Sequence, residues 1–296
     1  MKLGVVGGSS LVSFDPTDEF AAIGLTISSK KDITVETPHG KVRLRIVELT
    51  GAASHTIVFV QRHNHDSAGM TPPHAINYHA NMRALADQGV DGIVATTSVG
   101  TILATFPPGR VGVCRQYIDF TGVATTYHHD DAKFTSVTQP FDERLNAQLL
   151  ETLRRVQGLG ADTRLEYTAF LMVGPQYETE AEINAIERLG GEVVGMTMPR
   201  EAKLCAELGV PYAALLIATN WAAGRHPGDP SMALKHEEVS EMSARVTGTI
   251  IKCLIDLLKN GLPMSGRTSP PSPSKKRTAS DTPTSASKKA KASPKH

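Results

Sequence analysis

The segment from Glu192 to Gly224 restricts the possible folds more than any other part of the sequence. Its pattern predicts, in order, a short buried strand over Val193 to Met196, a polar elbow at Thr197, a helix over Glu201 to Leu208, and a second strand from Tyr212 to Thr219 that ends at Asn220. A strand that enters a helix through a hydroxyl residue offers backbone N–H groups and an O–H donor to an anion. A strand that ends in an amide places a donor and an acceptor at the mouth of a sheet. This segment predicts an α/β fold with an anion site beside an amide that can recognise a planar heterocycle.

Other predicted strands also end in polar clusters. The strand from Leu3 to Val6 leads into Gly7-Gly8-Ser9-Ser10, which suits either an anion nest of backbone N–H groups or a tight turn with solvated serines. The strand over residues 92–95 leads into Thr96-Thr97-Ser98-Val99-Gly100-Thr101. Both clusters join Thr197 as candidate arms of one oxyanion site.

A fourth arm follows the strand over residues 56–61, which is expected to form an antiparallel hairpin with residues 42–48. It leads into Arg62-His63-Asn64-His65. An arginine at the end of a strand either binds phosphate with two parallel hydrogen bonds or is a solvated charge. Four such clusters at strand ends favour one shared site over four unrelated loops.

Hydrophobic periodicity predicts the remaining elements. Helices are expected over residues 76–88, 142–156 and 180–188, and strands over residues 111–118 and 166–173. Apolar residues at every fourth position predict one last helix that buries Met242, Val246, Ile250, Leu254 and Leu258. Tyr177 and Glu178 precede the helix at 180–188, where they either form the wall of a ligand pocket or, in the case of Glu178, cap the helix.

The C-terminal segment has a different composition from the rest of the chain. Residues 262–296 carry a charge of +7, from eight basic residues and one acid, so the remainder of the chain carries −6 of the net +1. The segment is rich in Ser, Pro and Lys with almost no large apolar residues, and we expect it to be disordered. The sequence therefore predicts one domain over residues 1–261 and a basic tail over residues 262–296.

Two basic clusters of this tail, Lys276-Arg277 and Lys288-Lys289-Ala290-Lys291, are spaced like a bipartite nuclear-import signal. A nuclear-import carrier is one expected partner, and a nonspecific polyanion-binding tail is the alternative. Three widely spaced cysteines, Cys114, Cys205 and Cys253, predict reduced, buried thiols in an intracellular protein. We expect a cytoplasmic or nuclear location, no metal, no organic cofactor and no membrane partner.

Seven motifs follow one another along the chain: GVVGGSSL, VQRHNH, INYHAN, ATTSVGT, GPQYETEAE, VVGMTMPREA and IATNWAAG. In this order, over about residues 3–260, they resemble the trimeric purine nucleoside phosphorylase and methylthioadenosine phosphorylase family. The resemblance implies an α/β/α sandwich around a twisted mixed β-sheet, a homotrimer, and cleavage of purine nucleosides by phosphate, which is a co-substrate.

The resemblance also implies roles for individual residues. The phosphate-binding positions are Ser9, Arg62, His63, Thr97, Ser98 and Thr197. The nucleoside-binding positions are Tyr177 against the base, Met196 beneath the ribose, Glu178 and Asn220 on the base edge, His236 at the 5′-hydroxyl, and Phe134, which would enter the pocket of a neighbouring subunit. Asn220, Glu178 and His63 are the expected catalytic residues. Two departures from the family pattern lie in the phosphate loops: Ser10 replaces a usual glycine, and Pro199-Arg200 shifts the proline before Glu201.

The base-site residues favour a 6-oxopurine over adenine. Methylthioadenosine enzymes typically present aspartates to the 6-amino group, whereas this chain has Asn220 and Ala222 after the strand. Asn220 can donate to O6 or accept from a protonated N7, and Glu178 can accept from N1–H. The sequence thus predicts a purine nucleoside phosphorylase of purine salvage that converts inosine or guanosine to the free base and ribose 1-phosphate.

Two alternatives remain. RHNH and INYHAN lean toward a 5′-methylthioinosine or 5′-methylthioadenosine phosphorylase, in which aliphatic residues take the place of the histidine at the 5′ end. The other alternative is a non-enzymatic nuclear binding protein whose tail is the active part.

Overall fold

The computed structural model describes residues 1–8, 11, 17–63, 69–234 and 236–261, and of His236 only the backbone. Strands and helices alternate along these residues, as the sequence predicts. In chain order they are β1 (Lys2–Gly7), α1 (Thr17–Ala21), β2 (Thr26–Thr37), β3 (Gly40–Thr50), β4 (His55–Gln61), α2 (Tyr78–Asp87), β5 (Gly92–Thr101), β6 (Val111–Asp119), α3 (Glu143–Val156), β7 (Glu166–Leu171), α4 (Glu180–Arg188), β8 (Val193–Gly195), α5 (Met198–Leu208), β9 (Tyr212–Trp221), α6 (His236–Arg245) and α7 (Thr247–Asn260), with a short 3-10 helix at Pro73–Ala75.

The strands form one mixed sheet in the order β2-β3-β4-β1-β5-β8-β7-β6-β9. The predicted antiparallel hairpin is present as β3 and β4, and β1 lies parallel to both β4 and β5. β9 pairs in parallel with β5 and antiparallel with β6. Because β8 and β7 complete the path from β5 to β6, five strands close into a ring. The predicted mixed sheet is confirmed, and about half of it is closed on itself.

Helices cover both faces of this sheet. On one face α2 and α5 bury side chains such as Met82 and Leu204, and on the other α3 and α7 bury side chains such as Leu149 and Leu254. Successive side chains of a strand point to opposite faces, so a strand between two helical layers is apolar throughout. β9 shows this pattern, since Leu216 belongs to the first core and Leu215 to the second. The α/β/α architecture is therefore confirmed.

Two local predictions were wrong, and one strand was missed. Residues 26–37 form the edge strand β2, which sequence reasoning missed because its polar, partly exposed residues give little apolar signal. β5 extends to Thr101 rather than ending at residue 95, because β9 and β8 continue to pair with it. The last apolar stripe is divided between α6 and α7, which meet at Val246.

The prediction that the three cysteines are buried, reduced thiols agrees with the structure. Cys114, Cys205 and Cys253 are all free and buried. Burial raises the pKa of Cys253 to about 12 and raises those of the other two thiols as well. Over the described residues, no helix has both the length and the apolar character needed to cross a bilayer.

Candidate active site

The polar ends of β5 and β9, the segments after β4 and β8, and the segment before α4 enclose one cavity of about 320 Å³. Nine of the predicted site residues line it: Arg62, His63, Thr97, Ser98, Tyr177, Glu178, Met196, Thr197 and Asn220. Residues 62 and 220 come from distant parts of the chain, and the sheet topology brings them together. The structure therefore joins three of the four polar clusters that the sequence identified separately, and Ser9 and Ser10 of the fourth lie outside the described residues.

Hydroxyl groups from different elements meet in this cavity. The Thr97 and Thr197 hydroxyl oxygens lie 3.3 Å apart, and that of Ser98 lies 3.1 Å from that of Ser243. Thr197 precedes α5, where Pro199 occupies one of the first helical positions, a site that suits proline because its missing N–H has no helical partner. These hydroxyls can donate to an anion, and each can turn to suit the ligand.

Arg62 enters the cavity from the end of β4 as a buried, paired cation. Its Nη2 donates to Glu201 Oε2 at 2.9 Å, its Nε donates to Oε1 of the same carboxylate, and its Nη1 donates to the Thr96 carbonyl at 2.7 Å. Burial lowers the pKa of Arg62, but the carboxylate of Glu201 outweighs this effect and the pKa is raised. Three of the five N–H groups of Arg62 are thus held by protein acceptors.

Glu201 is the partner that sequence reasoning missed, because it assigned this residue only to helix formation. Its side chain has 0% exposure, and its Oε2 also accepts a hydrogen bond of 2.7 Å from the Tyr212 hydroxyl. The available signal was a carboxylate within an otherwise apolar helix face, since a buried acid nearly always has a basic partner.

Asn220 lies within β9, one residue beyond an irregularity in its pairing with β5. Val99 pairs with Ala218 but Gly100 pairs with Asn220, so Thr219 is an extra residue. Such a bulge redirects side chains, and both Thr219 and Asn220 line the cavity. The Asn220 amide donates to the Trp221 carbonyl at 2.9 Å and accepts from the Thr219 hydroxyl at 2.8 Å. An amide has a second N–H and a second lone pair, which can bind a ligand.

Glu178 also lines the cavity and does not cap the following helix. The cap of α4 is a reciprocal capping box between Thr179 and Glu182. Glu178 is 8% exposed, and burial, followed by the nearby Glu182, raises the pKa of its carboxyl. Of the two readings left open by the sequence, the structure supports the pocket wall.

Of the other three predicted residues, only Phe134 has a described side chain. Ser9 lies outside the described residues. His236 begins α6, and the described residue of this helix that lines the cavity is Val239. The Phe134 side chain is 95% exposed and does not line the cavity of its own chain.

His63 and Tyr177 occupy the wall in different states of burial. His63 is 6% exposed, and its Nδ1 lies 2.9 Å from the Thr71 carbonyl. Tyr177 is 37% exposed at the rim.

Within the described ranges, no group of three or more His, Cys, Asp or Glu side chains is arranged to hold a metal ion.

The cavity at the mouth of this partly closed mixed sheet joins clustered hydroxyls to an amide and a carboxyl. The sequence model of the Phosphorylase superfamily matches residues 2–259. The chain belongs to this superfamily, and it is an enzyme of the pentosyltransferase class. This membership favours the enzymatic predictions over the non-enzymatic one.

Curated relatives carry two kinds of name. The chain is 35% identical to the probable 6-oxopurine nucleoside phosphorylase of Thermococcus kodakarensis, over 84% of this chain and 88% of the relative. It is 34% identical to the probable S-methyl-5′-thioinosine phosphorylase of Methanopyrus kandleri, over 86% and 91%. Among solved structures it resembles methylthioadenosine phosphorylase from Schistosoma mansoni in complex with adenine, with a TM-score of 0.72 and 24% identity over 88% of this chain and 91% of that one. The last likeness concerns the fold alone.

Proposed function

We propose that the chain is a purine nucleoside phosphorylase that cleaves 6-oxopurine nucleosides with inorganic phosphate, giving the free base and ribose 1-phosphate. The observation that carries the proposal is the presence of Asn220 and Glu178 in the same cavity as Arg62 and the clustered hydroxyls. The first two complement the edge of a 6-oxopurine, and the others complement an oxyanion. The names of several relatives agree with this substrate class.

Each end of the cavity has its own part in the proposed reaction. As the glycosidic bond breaks and a phosphate oxygen bonds to C1′, the electron pair of the broken bond goes to the purine. The proton that HPO₄²⁻ gives up balances the one that N7 gains, and the Asn220 amide oxygen accepts a hydrogen bond from N7–H. Glu178 accepts from N1–H and fixes the orientation of the base. Thr97, Ser98 and Thr197 hold phosphate beneath the sugar, so that the enzyme acts by positioning and preorganised charge rather than through a covalent intermediate.

A second candidate substrate is 5′-methylthioinosine, which has the same base. Part of the cavity wall is apolar and is formed by Met70, Pro72, Pro73 and Val239. Such a wall suits a thioether, whereas a 5′-hydroxyl needs a hydrogen-bonding partner such as His236. Names of several relatives support this candidate too. A 6-aminopurine is disfavoured for both, since Asn220 and Ala222 stand where aspartates would be needed.

One assay panel tests the proposal. Inosine, guanosine, 5′-methylthioinosine, adenosine and 5′-methylthioadenosine are each incubated with and without phosphate, and the released base is measured. We expect the base to be released from 6-oxopurine nucleosides only when phosphate is present. Equal release of base with and without phosphate would contradict the proposal. His236→Ala then separates the two substrates, because it should raise the KM for inosine and leave that for methylthioinosine unchanged.

We also propose that residues 262–296 are a separate tail that is dispensable for catalysis and directs the protein to the nucleus through a nuclear-import carrier. The segment lies outside the described residues, and its support is the spacing of its basic clusters. Its four Ser-Pro or Thr-Pro pairs lie among the charges, so phosphorylation there would partly neutralise them. Truncation after Gly261 should change the location of a fluorescent fusion and leave kcat and KM unchanged. Loss of activity in a truncated protein that still folds would contradict this division.

A further inference from the structure

Arg200 is a buried cation on α5 that takes part in none of the ion pairs formed by the described residues. It is 4% exposed, and its Nε has no hydrogen-bond partner. Its guanidinium carbon lies 5.4 Å from the centroid of the Tyr78 ring. The Arg200 side chain also hydrogen-bonds to Tyr78, and these two contacts with a neutral phenol offset only part of the cost of burying a charge without a counter-ion. This cation would therefore be stabilised by an anion other than the surrounding side chains.

Tyr78 connects Arg200 to the wall of the cavity. Tyr78, on which it packs, donates from its hydroxyl to the Pro73 carbonyl at 2.8 Å and to the Met196 carbonyl at 3.5 Å. Pro73 and Met196 both line the cavity. Burial and then Glu201 raise the pKa of Tyr78 to about 12, while Arg62 and Arg200 oppose this rise. The pKa of the Tyr78 hydroxyl is thus influenced by all three buried charges, those of Arg62, Arg200 and Glu201.

The charges of this group do not cancel. Arg62 and Glu201 form a close ion pair, whose fields largely compensate each other at longer distance. Arg200 is then the uncompensated charge, and the group of three carries a net charge of +1. In buried surroundings such a charge acts over longer distances than it would at the surface. Arg200 therefore contributes a positive potential on its side of the cavity that the Arg62–Glu201 pair alone does not provide.

We propose that Arg200 is a positioning residue for the oxyanion: it supplies the net positive charge that holds phosphate in the cavity, while Glu201 orients Arg62. The proposal rests on the phosphorylase function proposed above. It also gives a reason for the sequence Pro199-Arg200-Glu201, which places a cation one position before the buried acid.

The test compares three variants. Arg200→Met removes the charge but keeps an unbranched apolar stem, and Arg200→Lys keeps the charge. Arg188→Met removes the same unit of charge from an exposed position on α4. For Arg200→Met we expect the KM for phosphate to rise by about tenfold or more, about 1.4 kcal/mol per factor of ten. The KM for the nucleoside should stay within about twofold. Arg200→Lys should recover most of the loss, and Arg188→Met should behave as wild type.

Thermal unfolding separates this role from a purely structural one. Replacing an unpaired buried charge by an apolar side chain is often neutral or stabilising. In the absence of phosphate, Arg200→Met should therefore unfold at the same temperature as wild type or at a higher one. Inorganic phosphate should raise its Tm less than it raises that of wild type, because it binds the folded variant more weakly.

Each outcome decides one question. An unchanged phosphate KM in Arg200→Met overturns the proposal, and so does a fall in kcat and Tm without a selective change in that KM. If Arg200→Met does not fold, Arg200→Lys against Arg200→Gln gives the same comparison. If wild type cleaves no nucleoside with phosphate, the proposed function fails, and the phosphate-induced Tm shifts of wild type and Arg200→Met then decide the role of Arg200 alone.

Discussion

Glu178 combines burial with a position in the cavity wall, and the result is a carboxyl whose pKa is raised above its usual value. Because only the ionised form accepts from N1–H without donating, the proposed reaction needs Glu178 deprotonated. As pH falls through the raised pKa, the group takes up a proton and this acceptor is lost. Activity should therefore be present above that pKa and decline below it.

We predict that kcat/KM for inosine has an acid limb that belongs to Glu178 and lies at a higher pH than the ordinary pKa of a glutamate. In Glu178→Gln the limb should disappear and kcat/KM should be lowered at every pH, by about 10²-fold or more for a mismatched buried polar group. The measurement is a pH profile of kcat/KM. Glu143→Gln, an exposed carboxyl at the start of α3, is the control. A Glu178→Gln profile with the wild-type limb would assign the limb to another group.

The second prediction at this scale concerns Asn220. In Asn220→Asp the N–H donor opposite O6 becomes an acceptor, so two acceptors face each other, a mismatch that can discriminate by about 10⁴. We expect kcat/KM for inosine to fall by several orders of magnitude, while the ratio of adenosine to inosine cleavage rises because aspartate can accept from a 6-amino group. An inosine kcat/KM within threefold of wild type would remove Asn220 from the proposed mechanism.

At the scale of elements, the bulge in β9 and Gly100 in β5 determine where Asn220 lies. A Cβ atom at residue 100 would approach the Asn220 Nδ2 to 3.2 Å and Val194 Cγ1 to 3.1 Å. Such distances are tighter than ordinary van der Waals contact, so neighbouring atoms must move by a few tenths of an ångström. Gly100 is thus needed for the close approach of β5 and the amide, rather than for an unusual backbone angle.

We therefore predict that Gly100→Ala lowers kcat/KM for inosine about tenfold by displacing the Asn220 amide, since small misplacements in active sites are costly. The Tm should change by only a few degrees. Gly160→Ala is the matched control, because a Cβ atom there would meet no atom within 4 Å. The two variants are compared by steady-state kinetics and thermal unfolding. Equal activity of both would show that the approach at Gly100 does not control the amide.

At the scale of the whole molecule, Phe134 is a large apolar side chain with 95% of its surface exposed. Aromatic residues are enriched at protein interfaces relative to the rest of the surface, and Phe134 is not covered by its own chain. We propose that Phe134 completes the site of a neighbouring subunit in a homotrimer.

Mixing of two impaired variants, assayed at an inosine concentration well below the raised KM of Phe134→Ala, tests this arrangement. Phe134→Ala should raise the KM for inosine, and the variant should still sediment with the mass of a trimer. When Phe134→Ala subunits are refolded together with Asn220→Asp subunits, mixed trimers should regain activity, because a site with Asn220 can then receive Phe134 from its neighbour. Absence of any recovery in verified mixed trimers, or a fully active monomer, would contradict the shared site.

Much of the site could be predicted from local sequence. Thr97, Ser98, Thr197 and Asn220 were recognised because hydroxyl and amide residues follow apolar strand patterns, and such patterns depend on neighbours only a few residues away. The strands and helices of an α/β domain followed from the same periodicity, whereas the α/β/α layering was implied by the resemblance to a known family. Glu178 remained ambiguous at this level, because a glutamate before a helix suits both a cap and a pocket.

Only the tertiary structure decided which of these residues interact. Glu201 binds Arg62, which is 139 residues away in the sequence. No local sequence pattern predicts which residues so far apart will pair. The closure of five strands into a ring and the bulge at Thr219 likewise result from the pairing of β9 with both β5 and β6. The sequence by itself determined where polar groups meet strand ends, since propensity and periodicity are local. Which groups are buried together was decided by the fold, because burial and pairing depend on surfaces brought into contact from distant parts of the chain.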